Sequence, residues 1–193
     1  MIGDSVQRPS PWVVRWCPSA RPGSCALDFA CGRGRHVRVL RALGHRVVAV
    51  DRDAEALRVA RVDDDVETIL ADVECGPWPL AERAFEVVVV TNYLWRPLLP
   101  RILAAVAPSG LLVYETFLEG HERFGRPANP DFLLRRGELR EAVADGFETI
   151  AFEEGADGEP ADSMRQRICA RRREGSWPRS HSEAAPGRLR RSE

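Results

Sequence analysis

Short apolar runs alternate along this chain with stretches whose apolar residues recur at helical spacing. That alternation is the mark of strands separated by helices. Leu27 and Phe29 belong to a first strand-like run, which stops at Cys31-Gly32-Arg33-Gly34. Val37, Leu40 and Leu43 then fall on one helical face, and Gly44 follows where a left-handed residue commonly closes a helix. Residues 46–50 are again apolar and β-branched, as suits a strand buried on both faces. Further on, the pattern predicts a short helix over 53–60, a strand over 66–70 and a proline-rich loop over 76–80. The run 85–90, with four valines in succession, reads as a central strand. A helix over 97–106 is ended by Pro108, and a strand over 111–117 follows. Residues 118–136 show no period, and 138–144 form a short helix closed by Gly146. Alternation over 147–152 and 165–171 predicts a long β-hairpin joined by the twelve polar residues 153–164. Before all of this, Ser10-Pro11 has the form of a helix N-cap and first position, with Trp12 and Trp16 sharing one face for packing.

A strand-helix-strand unit over 26–51 is a parallel crossover, so both strands deliver their C-terminal ends to one side of the sheet. Open sheets of this kind bind ligands there. Asp28, the glycine turn and Asp51 should therefore share one cleft. Gly32 and Gly34 let a ligand approach the backbone closely. A dinucleotide fingerprint would need a third glycine, and Val37 stands in its place. Asp28, four residues before Gly32, would repel a diphosphate and favour a cationic ligand. S-adenosylmethionine fits that demand, with a sulfonium, an ammonium group and no phosphate. Asp51 lies 19 residues past Gly32 (51 − 32), where an acid can accept hydrogen bonds from ribose hydroxyls.

The segment Asp28-Phe29-Ala30-Cys31-Gly32-Arg33-Gly34 resembles the first motif of the class I S-adenosylmethionine-dependent methyltransferases. It departs from that motif at Ala30, where many members carry glycine. The resemblance implies a Rossmann-like α/β fold: a seven-stranded, mostly parallel sheet with helices on both faces and a C-terminal antiparallel hairpin. It also implies a cofactor site made of Asp28, Ala30, Gly32, Gly34, Asp51, Arg52, Asp72, Val73 and Asn92. Asp72 matches the acid that meets the adenine amino group; its alternative role is a turn-forming or capping aspartate. The segment 91–95 looks like the family's fourth motif, where Asn92 and Tyr93 would meet the methionine part or the acceptor. Trp95 either stacks there or packs in the core. Glu115, at the cleft end of its strand, is the best-placed carboxylate for an acceptor. His121 is either a titrating group on a lid formed by 118–136 or a solvated loop histidine. Phe124, Phe132 and Leu133 could wall an acceptor pocket or pin the loop. The two prolines of the amino- and adenine-methylating variant are absent from the fourth motif, so a nucleic-acid base is not the indicated acceptor.

Composition narrows the picture further. The 193 residues amount to one domain, here divided into an N-terminal segment 1–23, a methyltransferase domain 24–172 and a disordered tail 173–193. All 28 basic residues are arginine, which excludes lysine base or Schiff-base chemistry. The net charge of −1 does not point to nucleic acid or membrane. Five cysteines without a C-x-x-C pair argue against a disulfide framework or a metal site. With no signal-like N-terminus or spanning apolar run, a cytoplasmic protein is expected. The expected function is methyl transfer from S-adenosylmethionine to a small-molecule acceptor. No obvious base is present, which suits a thiol, an amine or a chalcogen oxyanion. The most similar subgroup is the small bacterial methyltransferases related to tellurite-resistance enzymes. The rivals are an NAD(P)-dependent oxidoreductase and a non-catalytic nucleic-acid-binding module using the arginine-rich tail.

Overall fold

The computed structural model describes residues 8–175, so the first seven residues and most of the expected tail lie outside it. One seven-stranded sheet runs through the molecule in the order β3-β2-β1-β4-β5-β7-β6. Its strands are β1 (Cys25–Phe29), β2 (Arg46–Asp51), β3 (Val66–Leu70), β4 (Phe85–Thr91), β5 (Val106–Phe117), β6 (Phe147–Asp157) and β7 (Ser163–Arg172). The first five pair in parallel, and β7 and then β6 join antiparallel. The Rossmann-like fold expected from the resemblance is thus present, hairpin included. The helices are α1 (Pro11–Trp16), α2 (Arg35–Ala42), α3 (Ala54–Ala60), α4 (Leu99–Ala104) and α5 (Glu138–Val143). No helix among the described residues is long and apolar enough to cross a membrane.

Alternate side chains of the central strands feed two core layers. Leu27, Phe29, Val88 and Val90 pack with α4 and α5 residues such as Ile102, Leu139 and Val143. Ala26, Val87 and Val89 pack on the other face with Val37 and Leu40 of α2 and with Trp12 and Val13 of α1. The four valines of β4 are wholly buried, as a central strand requires. At α1, the Ser10 hydroxyl accepts from the Trp12 amide, the cap its position predicts. Trp12 is a packing residue, and its indole N–H donates to the Ile168 carbonyl at 3.2 Å.

Two boundaries differ from the sequence reading. The helix predicted to reach residue 106 ends at Ala104, because Val106 pairs with Phe85 and already belongs to β5. The hairpin strands are longer than alternation indicates, leaving only 158–162 as the connection. Residues 153–157 look like loop because they are polar, but they pair against β7 through charge. Glu153 lies opposite Arg167, and the Asp157 carboxylate accepts from Arg167.

The irregular stretch after β5 is held by one side chain. Arg96 donates to both carboxylate oxygens of buried Glu138, at 2.7 and 2.8 Å, and to the carbonyls of Asp131 and Leu133. Leu118 bridges to Leu134, closing the loop's base.

Gly34 stands before α2 with φ +74°. A Cβ there would lie 2.7 Å from the Ala60 Cα, so this glycine sets how closely α2 approaches α3. Gly34→Ala should therefore destabilise the fold by about 2–5 kcal/mol, from left-handed strain plus overpacking. Chemical denaturation checks this; a loss below about 1 kcal/mol would show that α3 can retreat freely.

Candidate functional site

The C-terminal ends of β1, β2 and β4 open into a cavity of about 500 Å³ lined by Ala30, Cys31, Gly32, Arg33, Arg35, Asp51, Asp53, Ala56, Thr91 and Asn92. A smaller cavity of about 50 Å³ adjoins it, sharing Ala30 and Asp51 and adding Val50, Arg52, Ala71, Asp72, Val73, Glu74 and Tyr93. A hollow of similar size to the larger one lies at the opposite end of the strands, beside Arg83 and Glu67. That pair is bonded to itself, and parallel sheets present ligand sites at their C-terminal ends.

The glycine turn is closed by its own hydrogen bonds. The Cys31 amide donates to the Val50 carbonyl and the Gly34 amide to the Cys31 carbonyl. The Gly32 amide donates to Asp51 Oδ2 at 2.7 Å, while Asp51 Oδ1 accepts from the Asp53 amide at 3.0 Å. Ala30 and Asn92, at the cavity rim, both hold positive φ, +56° and +54°. Neither is glycine, so both carry strain of order 1–2 kcal/mol.

Asp28 does not line either cavity. It sits in mid-strand with 1% of its surface exposed, paired between Ala49 and Val89. Neither carboxylate oxygen has a hydrogen-bond partner. Burial pushes its pKa up to about 7, against a pull downward from the Arg35 guanidinium and the nearby Val37 amide. Gly34 likewise lies behind the turn, where its role is helix packing. The other expected cofactor residues, Ala30, Gly32, Asp51, Arg52, Asp72, Val73 and Asn92, all line one cavity or the other. Asp72 Oδ1 accepts from the Glu74 and Cys75 amides, so the turn-forming role is real. Oδ2 has no such bond among the described residues and remains free for a ligand.

The candidate acceptor-side residues are placed differently. Asn92 Oδ1 accepts from Arg165 at 2.8 Å, which turns its amide nitrogen the other way. Tyr93 lines the small cavity, edge-on to Phe29 at 5.4 Å between ring centres, and so sits with Asp72. Trp95 packs on the core. Glu115 is buried and committed: Oε2 accepts from Arg167 at 2.7 Å and from the Ser10 hydroxyl at 3.0 Å, and Oε1 lies 3.6 Å from Arg165. His121 is neither solvated nor on the cavity wall. Its Nδ1 accepts from the Met164 amide, so Nε2 carries the proton toward the Arg126 carbonyl, and the ring stacks on Phe117 at 4.2 Å. Phe124 and Phe132 are exposed and Leu133 is buried.

Sequence reasoning missed Arg35 and His36. Arg35 lines the cavity and donates to the Thr91 hydroxyl at 3.4 Å. His36 Nε2 accepts from the Ser10 amide at 3.0 Å, which leaves Nδ1 as the donor toward Thr91 at 3.3 Å. Burial first, and Arg35 second, lower its pKa to about 3, so it stays neutral. Only their position just past the glycine turn could have drawn attention to them.

Residues 26–110 match the family profile described as a methyltransferase domain. The malonyl-[acyl-carrier protein] O-methyltransferase of Serratia marcescens is 34% identical over 109 residues, which cover 53% of this chain and 42% of that enzyme. The chain thus spans less than half the length of that relative. Among solved structures, TehB from Haemophilus influenzae superposes with a TM-score of 0.70 at 18% identity, covering 86% of this chain and 63% of that one. The Burkholderia thailandensis 1,6-didemethyltoxoflavin-N1-methyltransferase, solved with S-adenosylhomocysteine, gives 0.62 at 21% identity, covering 85% and 77%. Identities this low establish a shared fold.

The raised pKa of Asp28 has a sign that can be tested. Between its ordinary value of 3.8 and about 7, the unfolded chain releases a proton that the folded chain keeps. Its contribution to stability is therefore full below the lower value and is lost as pH rises toward the upper one. The melting temperature of Asp28→Asn minus that of the wild type should widen from pH 4 to 7 and then level off. A difference independent of pH would mean that Asp28 ionises normally.

Proposed function

Given that residues 26–110 form a class I S-adenosylmethionine-dependent methyltransferase domain, we propose that this protein binds S-adenosylmethionine in the paired cavities and methylates a small-molecule acceptor. The observation that carries this reading is the closure of the glycine turn by Asp51. The Cys31, Gly32 and Gly34 amides are already bonded within the protein, and the Gly32 amide is bonded to a carboxylate that would oppose an anion on the turn. That arrangement opposes a nicotinamide dinucleotide and favours a ligand that is positive at its reacting end.

The residues present fit the cosubstrate. Asp51 would meet the ribose, Asp72 and Val73 the nucleobase, and Ala30, Gly32 and Asn92 the methionine part. Asp28, buried below the turn and pushed up to a pKa of about 7, is only partly ionised at neutral pH and adds at most part of a charge at that end. When bound, S-adenosylmethionine supplies an electrophilic methyl group on sulfur. The chain's own part is to position and to exclude water. Asp51 and Asp53 hold backbone amides, Glu115 is bound to arginine, and His36 and His121 are locked in neighbouring hydrogen bonds. None is poised as a general base, which supports an acceptor already nucleophilic at neutral pH: a thiol, an amine or a chalcogen oxyanion. All five cysteines are free, in keeping with a reducing, cytoplasmic setting. The nucleic-acid alternative gains nothing from the described arginines of β7: Arg171 and Arg172 donate to main-chain carbonyls of the protein itself.

Calorimetric titration tests the reading. S-adenosylhomocysteine should bind, and NADH should neither bind nor compete; the reverse result would overturn the proposal. Asp51→Ala should weaken S-adenosylhomocysteine by roughly 1–3 kcal/mol, through lost charge-assisted hydrogen bonds and a loosened turn. Unchanged affinity would remove Asp51 from the site.

A further inference from the structure

The larger cavity is lopsided in its hydrogen-bonding side chains. On the β2 side Asp51 and Asp53 offer carboxylate oxygens, which suit hydroxyl donors. On the β4 side Arg35, Thr91 and Asn92 form the wall, and each presents a donor. Arg35 is a guanidinium and can only donate. It makes no ion pair among the described residues, and its hydrogen bonds to Thr91 and to the Arg8 carbonyl are both long, at 3.4 Å. Asn92 is fixed by Arg165: Oδ1 accepts at 2.8 Å, which leaves the amide nitrogen, a donor. Thr91 is fixed by His36. The Ser10 amide donates to His36 Nε2, so the Nδ1 proton is aimed at the Thr91 oxygen. Arg35 donates to that same oxygen. With both lone pairs taken, the Thr91 hydroxyl proton has no acceptor among the described residues and is left for a ligand.

Sheet order separates this wall from the nucleoside end. Asp51 and Asp72 follow β2 and β3, on one flank of β1. Thr91 ends β4 on the other flank, with Glu115 of β5 and Arg165 of β7 beyond it. The positive charge on that flank is not fully matched. Arg165 has the Glu115 and Asp157 carboxylates at 3.6 and 3.5 Å. Burial lowers its pKa, and the Arg167 and Arg35 guanidiniums push the same way against those carboxylates. Glu115 is shared with Arg167. Asp51 and Asp53 hold backbone amides, and Asp28, on which Arg35 also acts, is buried behind the turn. No described carboxylate is left to pair with Arg35 inside the cavity.

We propose that the methyl acceptor carries a carboxylate, gripped by the Arg35 guanidinium and the Thr91 hydroxyl, with the Asn92 amide at the join between acceptor and cosubstrate. This rests on the cosubstrate reading above and deepens it by naming a substrate class. The carboxylate is a handle: it supplies binding energy away from the reacting atom and orients the nucleophile borne elsewhere on the acceptor. An acceptor lacking the anion leaves these donors unpaired, and a cationic one meets them with like charge, so the wall selects against both. Ser10 and His36 are positioning residues, acting through the Thr91 hydroxyl.

The cosubstrate has a carboxylate of its own, and the test separates the two. The probe is benzoate, with benzamide as its neutral twin, titrated into protein saturated with S-adenosylhomocysteine. Benzoate should move the Arg35 Nε–H and Asn92 side-chain amide resonances saturably, and benzamide should not. Arg35→Gln should weaken benzoate by roughly tenfold or more and Thr91→Val by roughly three- to tenfold, while Thr91→Ser keeps the wild-type affinity. The imidazole nitrogen shifts of His36 should place its proton on Nδ1. Equal responses to benzoate and benzamide, or none to benzoate, would overturn the proposal. So would benzoate binding only when 5′-methylthioadenosine, which lacks the amino-acid part, replaces S-adenosylhomocysteine, because the carboxylate site would then be the cosubstrate's. A His36 proton on Nε2 would reverse the Thr91 hydroxyl and equally sink it. If S-adenosylhomocysteine itself did not bind, the cosubstrate reading would fall, and this inference with it.

Discussion

A single carboxylate holds the ligand end of this molecule together. Asp51 ends β2, accepts from the Gly32 amide with one oxygen and from the Asp53 amide with the other. The first bond ties the glycine turn of β1 to its neighbouring strand. The second starts the turn into α3, where Asp53 caps the helix by accepting from the Glu55 and Ala56 amides. Placing a charge there also decides what the turn can bind. A glycine turn whose amides point outward is an anion cradle; the same turn with its amides bound to an internal anion is not. The difference between a phosphate site and a cation-tolerant site thus lies in one bond across 19 residues of sequence.

Much of this architecture is legible in the chain. The valines of β4, the crossover from β1 to β2 and the serine cap of α1 are local patterns, and local patterns survive into the fold. The glycine motif and Asp51 are legible for the same reason. What is not legible is carried by contacts between distant residues. Ser10 reaches Glu115 across 105 positions and His36 across 26, and Arg96 reaches Glu138 across 42. Each is one polar residue among many until the sheet order brings its partner near. Glu115 illustrates the point: by position it looks like a free acid in a cleft, but the antiparallel return of β7 lays Arg165 and Arg167 beside it. The lengthened hairpin has the same origin, since its far half is stabilised by charge pairing that hydrophobic alternation cannot register.

Some of the places where local rules fail lie at or near the two cavities, while Ala81 and Ser109, with positive φ, and the unpaired Trp16 indole nitrogen line neither. Ala30 and Asn92 take left-handed conformations without being glycine, and Asp28 is buried without a hydrogen-bond partner for either oxygen. Elsewhere the chain satisfies its charges thoroughly: Arg41 meets Asp63 and Asp65, Arg83 meets Glu67, and Arg167 meets Glu115 and Asp157. The strain at Ala30 and Asn92 lies on the cavity rim, where a ligand could offset it.

The central claim is that the Gly32 amide is held by Asp51 before any ligand arrives. The Gly32 amide resonance in a proton–nitrogen correlation spectrum reads this directly, during titrations with inorganic pyrophosphate and with S-adenosylhomocysteine. The resonance should stay in place with pyrophosphate and move saturably with S-adenosylhomocysteine. A saturable shift of Gly32 with pyrophosphate would show that Asp51 gives up its hold to an anion, and would contradict the account.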